Sequence, residues 1–255
     1  MAIIKSIFKF EGKLEGMNAY LPKNRDESEG YILRTNGGPT RKQIEKLPSC
    51  ELVRQNNHEF GTSSAAAKAV RMAIRPVSHL ADINLASQFT SLCRHMLKQD
   101  KENKRGERMV FFSEFGYLMS GVNLNKNHLF DSVVRNPVSA TLDHATATAV
   151  IRFPALQPGV NLVLPWQRPL FRFIISLGVA GNYRSQQPPV SYNTEWYSSQ
   201  QALEAQTITL QLSNNKFSEY QCMVVAVGVE MGMVVSDALV ESVKHIGCGK
   251  VLIAG

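Results

Sequence analysis

The feature that most constrains the fold lies between residues 146 and 255, where apolar stretches of strand length alternate with turn-forming clusters. TATAVIRF (146–153), FRFIISLGVA (171–180), QTITLQL (206–212) and QCMVVAVGVEM (221–231) are rich in β-branched and aromatic residues. Such side chains lose rotamer freedom in a helix and fit a pleated, half-buried surface. LQPG, PWQRP, SQQPP and SNNKFS separate them, and proline, glycine and asparagine end strands and supply the dihedrals that turns need. In QTITLQL, Thr207 and Thr209 interleave with Ile208 and Leu210, the period of two of a sheet with one wet face. The spacing predicts an antiparallel sandwich or Greek-key barrel. The stretch from Val240 to Ala254, ending CGKVLIAG, is expected to pair as the last strand.

The first half reads differently. Ile3, Ile4, Ile7, Phe8 and Phe10 open a segment broken by Gly12, Gly16, Gly30, Gly37 and Gly38 and closed by Tyr31, Ile32 and Leu33. Two or three short strands joined by tight turns are expected there. Thr40 can cap a helix through Lys46, which Pro48 stops. A stronger helix is predicted after Gly61, capped by Thr62, Ser63 or Ser64 and running through AAAKAVRMAIR to Pro76. Phe89, Leu92, Cys93, Met96 and Leu97 recur at i, i+3, i+4, i+7 and i+8, one apolar helix face. KQDKENKRGER (98–108) is a solvated exit, and MVFFSEFGYLM (109–119) opens an apolar connector of no clean period. The fold class is α+β: N-terminal short strands and helices followed by a C-terminal antiparallel β-sandwich or Greek-key barrel. A domain boundary is expected between a basic region 1–137, with helices over 40–100, and a sandwich domain 138–255.

The excess of positive charge sits in one half. Residues 1–130 hold 20 Lys+Arg against 13 Asp+Glu, and residues 131–255 hold 8 against 8. An acidic partner would therefore meet the first half. No apolar run reaches the roughly 18 residues that cross a bilayer. MAIIKSIFKF mixes lysines into its apolar residues, so no secretory signal is read and a cytoplasmic location is expected. Cys50, Cys93, Cys222 and Cys248 are scattered without a CxxC pair, which predicts reduced, buried thiols and no zinc site.

The N-terminal half also resembles a family of uncharacterised bacterial proteins of about this length. The likeness is carried by Gly12-Lys13-Leu14-Glu15-Gly16 with Tyr20, by Gly30-Tyr31 and Arg34, and by Gly37-Gly38-Pro39. It continues in Arg54, Asn56, Asn57, Glu59-Phe60-Gly61 and the helix from Ser64 through Lys68, Arg71 and Ala73 to Arg75-Pro76. A weaker likeness runs through Val122 to Asn125 into the β-rich half. The resemblance implies a shared fold and supplies no activity, cofactor or catalytic residue.

No HExxH, GxSxG or GxxxxGK[ST] occurs. Asp143-His144 with Ser139 reads as a polar loop, and His58-Glu59 as a pair whose Glu59 meets Arg54 or a helix dipole. No catalytic residue, metal or cofactor is assigned, and an enzyme is not expected. Lys68, Arg71 and Arg75 lie at i, i+3 and i+7, one basic stripe, with Arg41, Lys42 and Lys46 on the preceding segment. The stripe suits phosphates or a subunit contact. Ile3, Ile4, Ile7 and Phe8 at one end and Val251, Leu252 and Ile253 at the other are candidate strands for completing a neighbouring copy's sheet. These features favour a structural protein that self-assembles into a filament, tube or phage-like shell. A basic nucleic-acid-associated protein is the alternative. A third is a ligand- or carbohydrate-binding sandwich using Trp166, Trp196 and Tyr197.

Overall fold

A computed structural model of the chain describes all residues except 1, 5–10, 24–25, 36, 182–186, 215–216, 219 and 237–238. The chain divides into two compact units, Met1–Arg54 and Gln55–Gly255. Residues on either side of 137/138 lie in the second unit, where the helices bury their apolar faces on the same sheet that the C-terminal strands build.

In the first unit, β1 (Ala2–Ile4), β2 (Gly12–Leu14), β3 (Met17–Tyr20) and β4 (Tyr31–Thr35) form an antiparallel sheet in the order β1-β4-β3-β2. Glu15 and Gly16 both have positive φ, 21° and 79°, and make the two-residue turn whose twist matches a hairpin. α1 (Arg41–Lys46) starts at Thr40, the expected cap, and Gln43 completes a capping box with it. Arg54 Nη1 donates to the carbonyls of Ile44 (2.7 Å) and Leu47 (2.8 Å) and so closes its C-terminal end.

The next helix, α2 (Glu51–Ala73), begins well before the expected start after Gly61. Gly61 is exposed and nothing lies within 4 Å of where its Cβ would be. A mid-helix glycine costs about 1 kcal/mol, too little to stop a helix anchored on both sides. Ser63 does not cap; its hydroxyl donates back to the carbonyl of Glu59 at 2.8 Å, the usual bond of a mid-helix serine. A 3-10 turn (Arg75–Leu80) follows, then α3 (Leu85–Leu97), capped by Asn84. The predicted face of α3 is buried at Phe89, Cys93, Met96 and Leu97. The connector folds into short turns, α4 (Phe112–Phe115) and α5 (Phe130–Val133), that bury Phe112 and Phe130.

The remaining strands are β5 (Ser139–Asp143), β6 (Thr148–Phe153), β7 (Leu170–Ala180), β8 (Val190–Asn193), β9 (Tyr197–Ser198), β10 (Gln206–Gln211), β11 (Cys222–Ser236) and β12 (Leu239–Ala254). They make an antiparallel sheet β10-β6-β5 and a larger one, β12-β11-β7-β8, with β9 also on β7. Odd-numbered residues of β7 and β11, such as Phe173, Ile175, Val225 and Val227, share a core with Ile151 and Phe153 of the small sheet. Even-numbered residues face the helices, where Ile174, Val224 and Ala226 pack with Val70, Ala73 and Phe89. The one-wet-face pattern holds for β5 and β10, whose residues alternate in exposure. β7 and β11 are covered on both faces, which is why they read as continuous apolar runs.

Small residues on the helix side make this contact close. Ser176 Oγ donates to the carbonyl of Ala73 at 3.1 Å. A Cβ on Gly178 would meet the Ala73 backbone, and one on Gly228 would meet the Leu80 side chain. All four cysteines are free and buried, and burial raises the thiols of Cys93 and Cys248 to about 12.

The contact makes opposite predictions for two glycines. Gly178→Val should cost about 3 kcal/mol in urea denaturation by overpacking against backbone. Gly61→Ala, in open space on a helix, should stabilise by about 0.5–1 kcal/mol.

Candidate functional site

The buried face of α2, with Ala66, Ala67, Val70 and Ala73, places Lys68 and Arg71 on the remaining surface. Arg75, at the start of the 3-10 turn, continues their line. The structure brings these three cations to one open cavity of about 510 Å³, also bordered by Ser78 and by Asn84, Leu85 and Ala86 at the start of α3. Arg41, Lys42 and Lys46 lie on α1 in the other unit, where Arg41 pairs with Glu45 at 2.9 Å. The six predicted cations thus fall three to each unit.

Arg75 also borders a second cavity with His79, Arg172 and Glu230. Glu230 is the one carboxylate in the buried part of β11 and is 2 % exposed. Its Oε2 accepts from Arg172 Nε and Nη2, both at 2.6 Å. Its Oε1 accepts from His79 Nε2 at 2.7 Å and Ser242 Oγ at 2.5 Å. A carboxylate only accepts, so the imidazole carries its proton on Nε2. Arg172 lies 4.4 Å over the ring of Trp196, and Trp196 covers Gly232. Burial alone would raise the Glu230 pKa. The hydrogen bonds from His79, Ser242 and Arg172, with the guanidinium charge, overcome it and hold the carboxyl at about 2. Four elements meet here: the 3-10 turn, β7, β11 and β12. The signal in the sequence was a single acid inside the run QCMVVAVGVEM, since a buried charge demands partners.

Beyond Glu230, β11 outruns its neighbour. The β7–β11 register ends at Leu170↔Gly232, while β11 and β12 remain paired to Ser236↔Leu239. On this two-stranded extension Met233, Val234, Val235 and Leu239 are 46 %, 53 %, 52 % and 50 % exposed.

The last strand pairs within the chain, as its apolar content predicts. Val251 is buried, and Leu252 and Ile253 are half-buried in a strand that pairs with β11. Its outer edge is taken by residues of the connector: Gly121 N donates to Val251 O and Val251 N to Val122 O, both at 2.8 Å. Leu124 N donates to Gly249 O at 2.8 Å, and Gly249 N to Asn125 Oδ1 at 2.9 Å. Among the described residues the connector thus occupies this edge of β12, and the uncovered apolar stretch is at its other end. Ile3 and Ile4 pair with Ile32 and Tyr31 of β4; Ile7 and Phe8 lie outside the described residues.

Other sequence candidates resolve into structure. Glu59 is buried mid-helix, accepts from Gly106 N at 2.9 Å and lies 3.7 Å from Arg108, so Arg108 and not Arg54 is its basic partner. Asp143 accepts from Ala145 N (3.0 Å) and Thr146 Oγ1 (2.7 Å), a turn joining β5 to β6. Trp166 meets His128 edge-on at 5.1 Å and Tyr197 packs on Phe171 at 5.8 Å. With Trp196 under Arg172, each candidate aromatic is engaged within the fold. Among the described residues no three His, Cys, Asp or Glu side chains gather as a metal-binding group, and no helix is long and apolar enough to cross a membrane. Comparison with known protein families, curated proteins and solved structures found no match to this chain.

Because its pKa is lowered on folding, Glu230 stabilises the fold above the ordinary carboxyl pKa of 4.5 and loses that effect as pH falls towards 2. The full contribution is about 3 kcal/mol. Glu230→Gln should therefore be about 3 kcal/mol less stable than the native chain at pH 7. In denaturant titrations that gap should narrow continuously between pH 4.5 and pH 2.

Proposed function

We propose that this protein is a non-enzymatic structural subunit that assembles with copies of itself, using the β11–β12 extension as its contact arm. The observation that carries this reading is the exposure of Met233, Val234, Val235 and Leu239 on a ribbon that has left its sheet. A two-stranded ribbon is marginal in water by itself, and contiguous apolar surface on a folded chain marks a contact site. Its base is held by the Glu230 network, so the arm is presented by a rigid core. The same segment can pair edge-on or bury its faces against a second copy. An arm that meets a different surface of the next subunit produces rings or open filaments.

Light scattering and sedimentation across a concentration series test the reading. The native chain should exceed the 28.4 kDa of one copy as concentration rises, and Met233→Lys with Val235→Lys should remain a folded single copy. A native chain that stays at 28.4 kDa throughout overturns it.

A further inference from the structure

We propose that the cavity between α2 and the start of α3 binds the phosphate group of a small phosphorylated ligand. Its wall carries Lys68, Arg71 and Arg75 and, among the described residues, no carboxylate. The nearby acid, Asp82, is engaged elsewhere, accepting from the backbone N–H groups of Lys126 (2.7 Å) and Asn127 (3.2 Å). Arg71 Nε is buried and, like Arg108 Nε elsewhere, has no hydrogen-bond partner among the described residues, so the protein's own groups leave this guanidinium incompletely paired. Arg75 is exposed and forms no ion pair among the described residues.

The opposite wall adds backbone donors. α3 is 13 residues long, and Asn84 caps it through the N–H of Ser87 at 3.2 Å. The N–H groups of Leu85 and Ala86, which also border the cavity, precede the first intrahelical donor and have no internal acceptor. They carry the positive end of the helix dipole. Guanidinium forks and helix N–H groups together match a dianion with several acceptor oxygens better than a two-oxygen carboxylate. At about 510 Å³ the cavity holds more than the phosphate itself, and Met72, Ile83 and Leu85 offer an apolar wall to the rest of the ligand. Among the described residues no aromatic side chain borders it, so a base has no platform there to stack on, which favours a small phosphomonoester over a nucleic-acid strand.

Equilibrium titration with inorganic phosphate and phenyl phosphate, beside a short single-stranded oligonucleotide, tests the site on the full chain. Both small probes should saturate, phenyl phosphate more tightly. Arg71→Gln and Arg75→Gln should each weaken them about tenfold or more, and Arg152→Gln, exposed on β6, should leave them unchanged. Should Arg71→Gln fail to fold, the exposed Arg75→Gln decides. The proposal is overturned if neither small probe saturates or if Arg75→Gln binds them like the native chain. It is also overturned if the oligonucleotide binds more tightly than phenyl phosphate and loses that binding in Arg75→Gln, which would assign the phosphates to a nucleic-acid backbone. Subunit assembly does not enter these readouts, so either proposal can fail without the other.

Discussion

Burial of β7 and β11 on both faces is the constraint on which the rest of the larger unit depends. A sheet covered on one side by another sheet and on the other by helices must bring helix backbone near strand backbone. Ser176, Gly178, Ala226 and Gly228 make that approach possible. The seat fixes the end of α2 and the 3-10 turn after it, and with them Arg71, Arg75 and His79. It also orders the two strands along which Arg172 and Glu230 come opposite each other. The cavity, the buried carboxylate and the base of the arm are thus consequences of one packing decision.

Much of this was legible in residue patterns. The antiparallel strands, the helix cap at Thr40 and the apolar face of α3 follow from local rules, since each depends on neighbours within one or two turns. The start of α2 did not, because Gly61 and the serines after it resemble a helix boundary that longer-range anchoring of Glu59 by Gly106 and Arg108 overrides. The division into units at Arg54/Gln55 was hidden for a related reason. Periodicity reveals that a face is apolar and says nothing of what covers it, and here helices from the first half cover strands from the second. The alternating β10 betrayed its wet face, whereas the solid apolar runs of β7 and β11 were the signal of double burial.

The candidate sites divide along the same line. The spacing of Lys68, Arg71 and Arg75 was enough to place them together, but the start of α3 opposite them depended on the tertiary fold. Glu230 reads in sequence as one acid among valines, because its partners lie far away in sequence at His79, Arg172 and Ser242. For the last strand, the apolar content of Val251 to Ile253 pointed to pairing, and the pairing is with β11 and the connector. The exposed apolar side chains are instead Met233, Val234, Val235 and Leu239, where β11 and β12 pass beyond the cover of β7.

A rigid, doubly covered core that presents an uncovered apolar arm makes a specific demand on backbone protection. Hydrogen exchange followed at low and high protein concentration tests it most directly. At low concentration, amides of β7 and of β11 up to Gly232 should exchange slowest, and those from Met233 to Ser236 much faster. At high concentration, protection should rise at the arm while the core stays unchanged. Arm amides as slow as the core in dilute protein, or exchange at the arm that does not respond to concentration, would contradict the account.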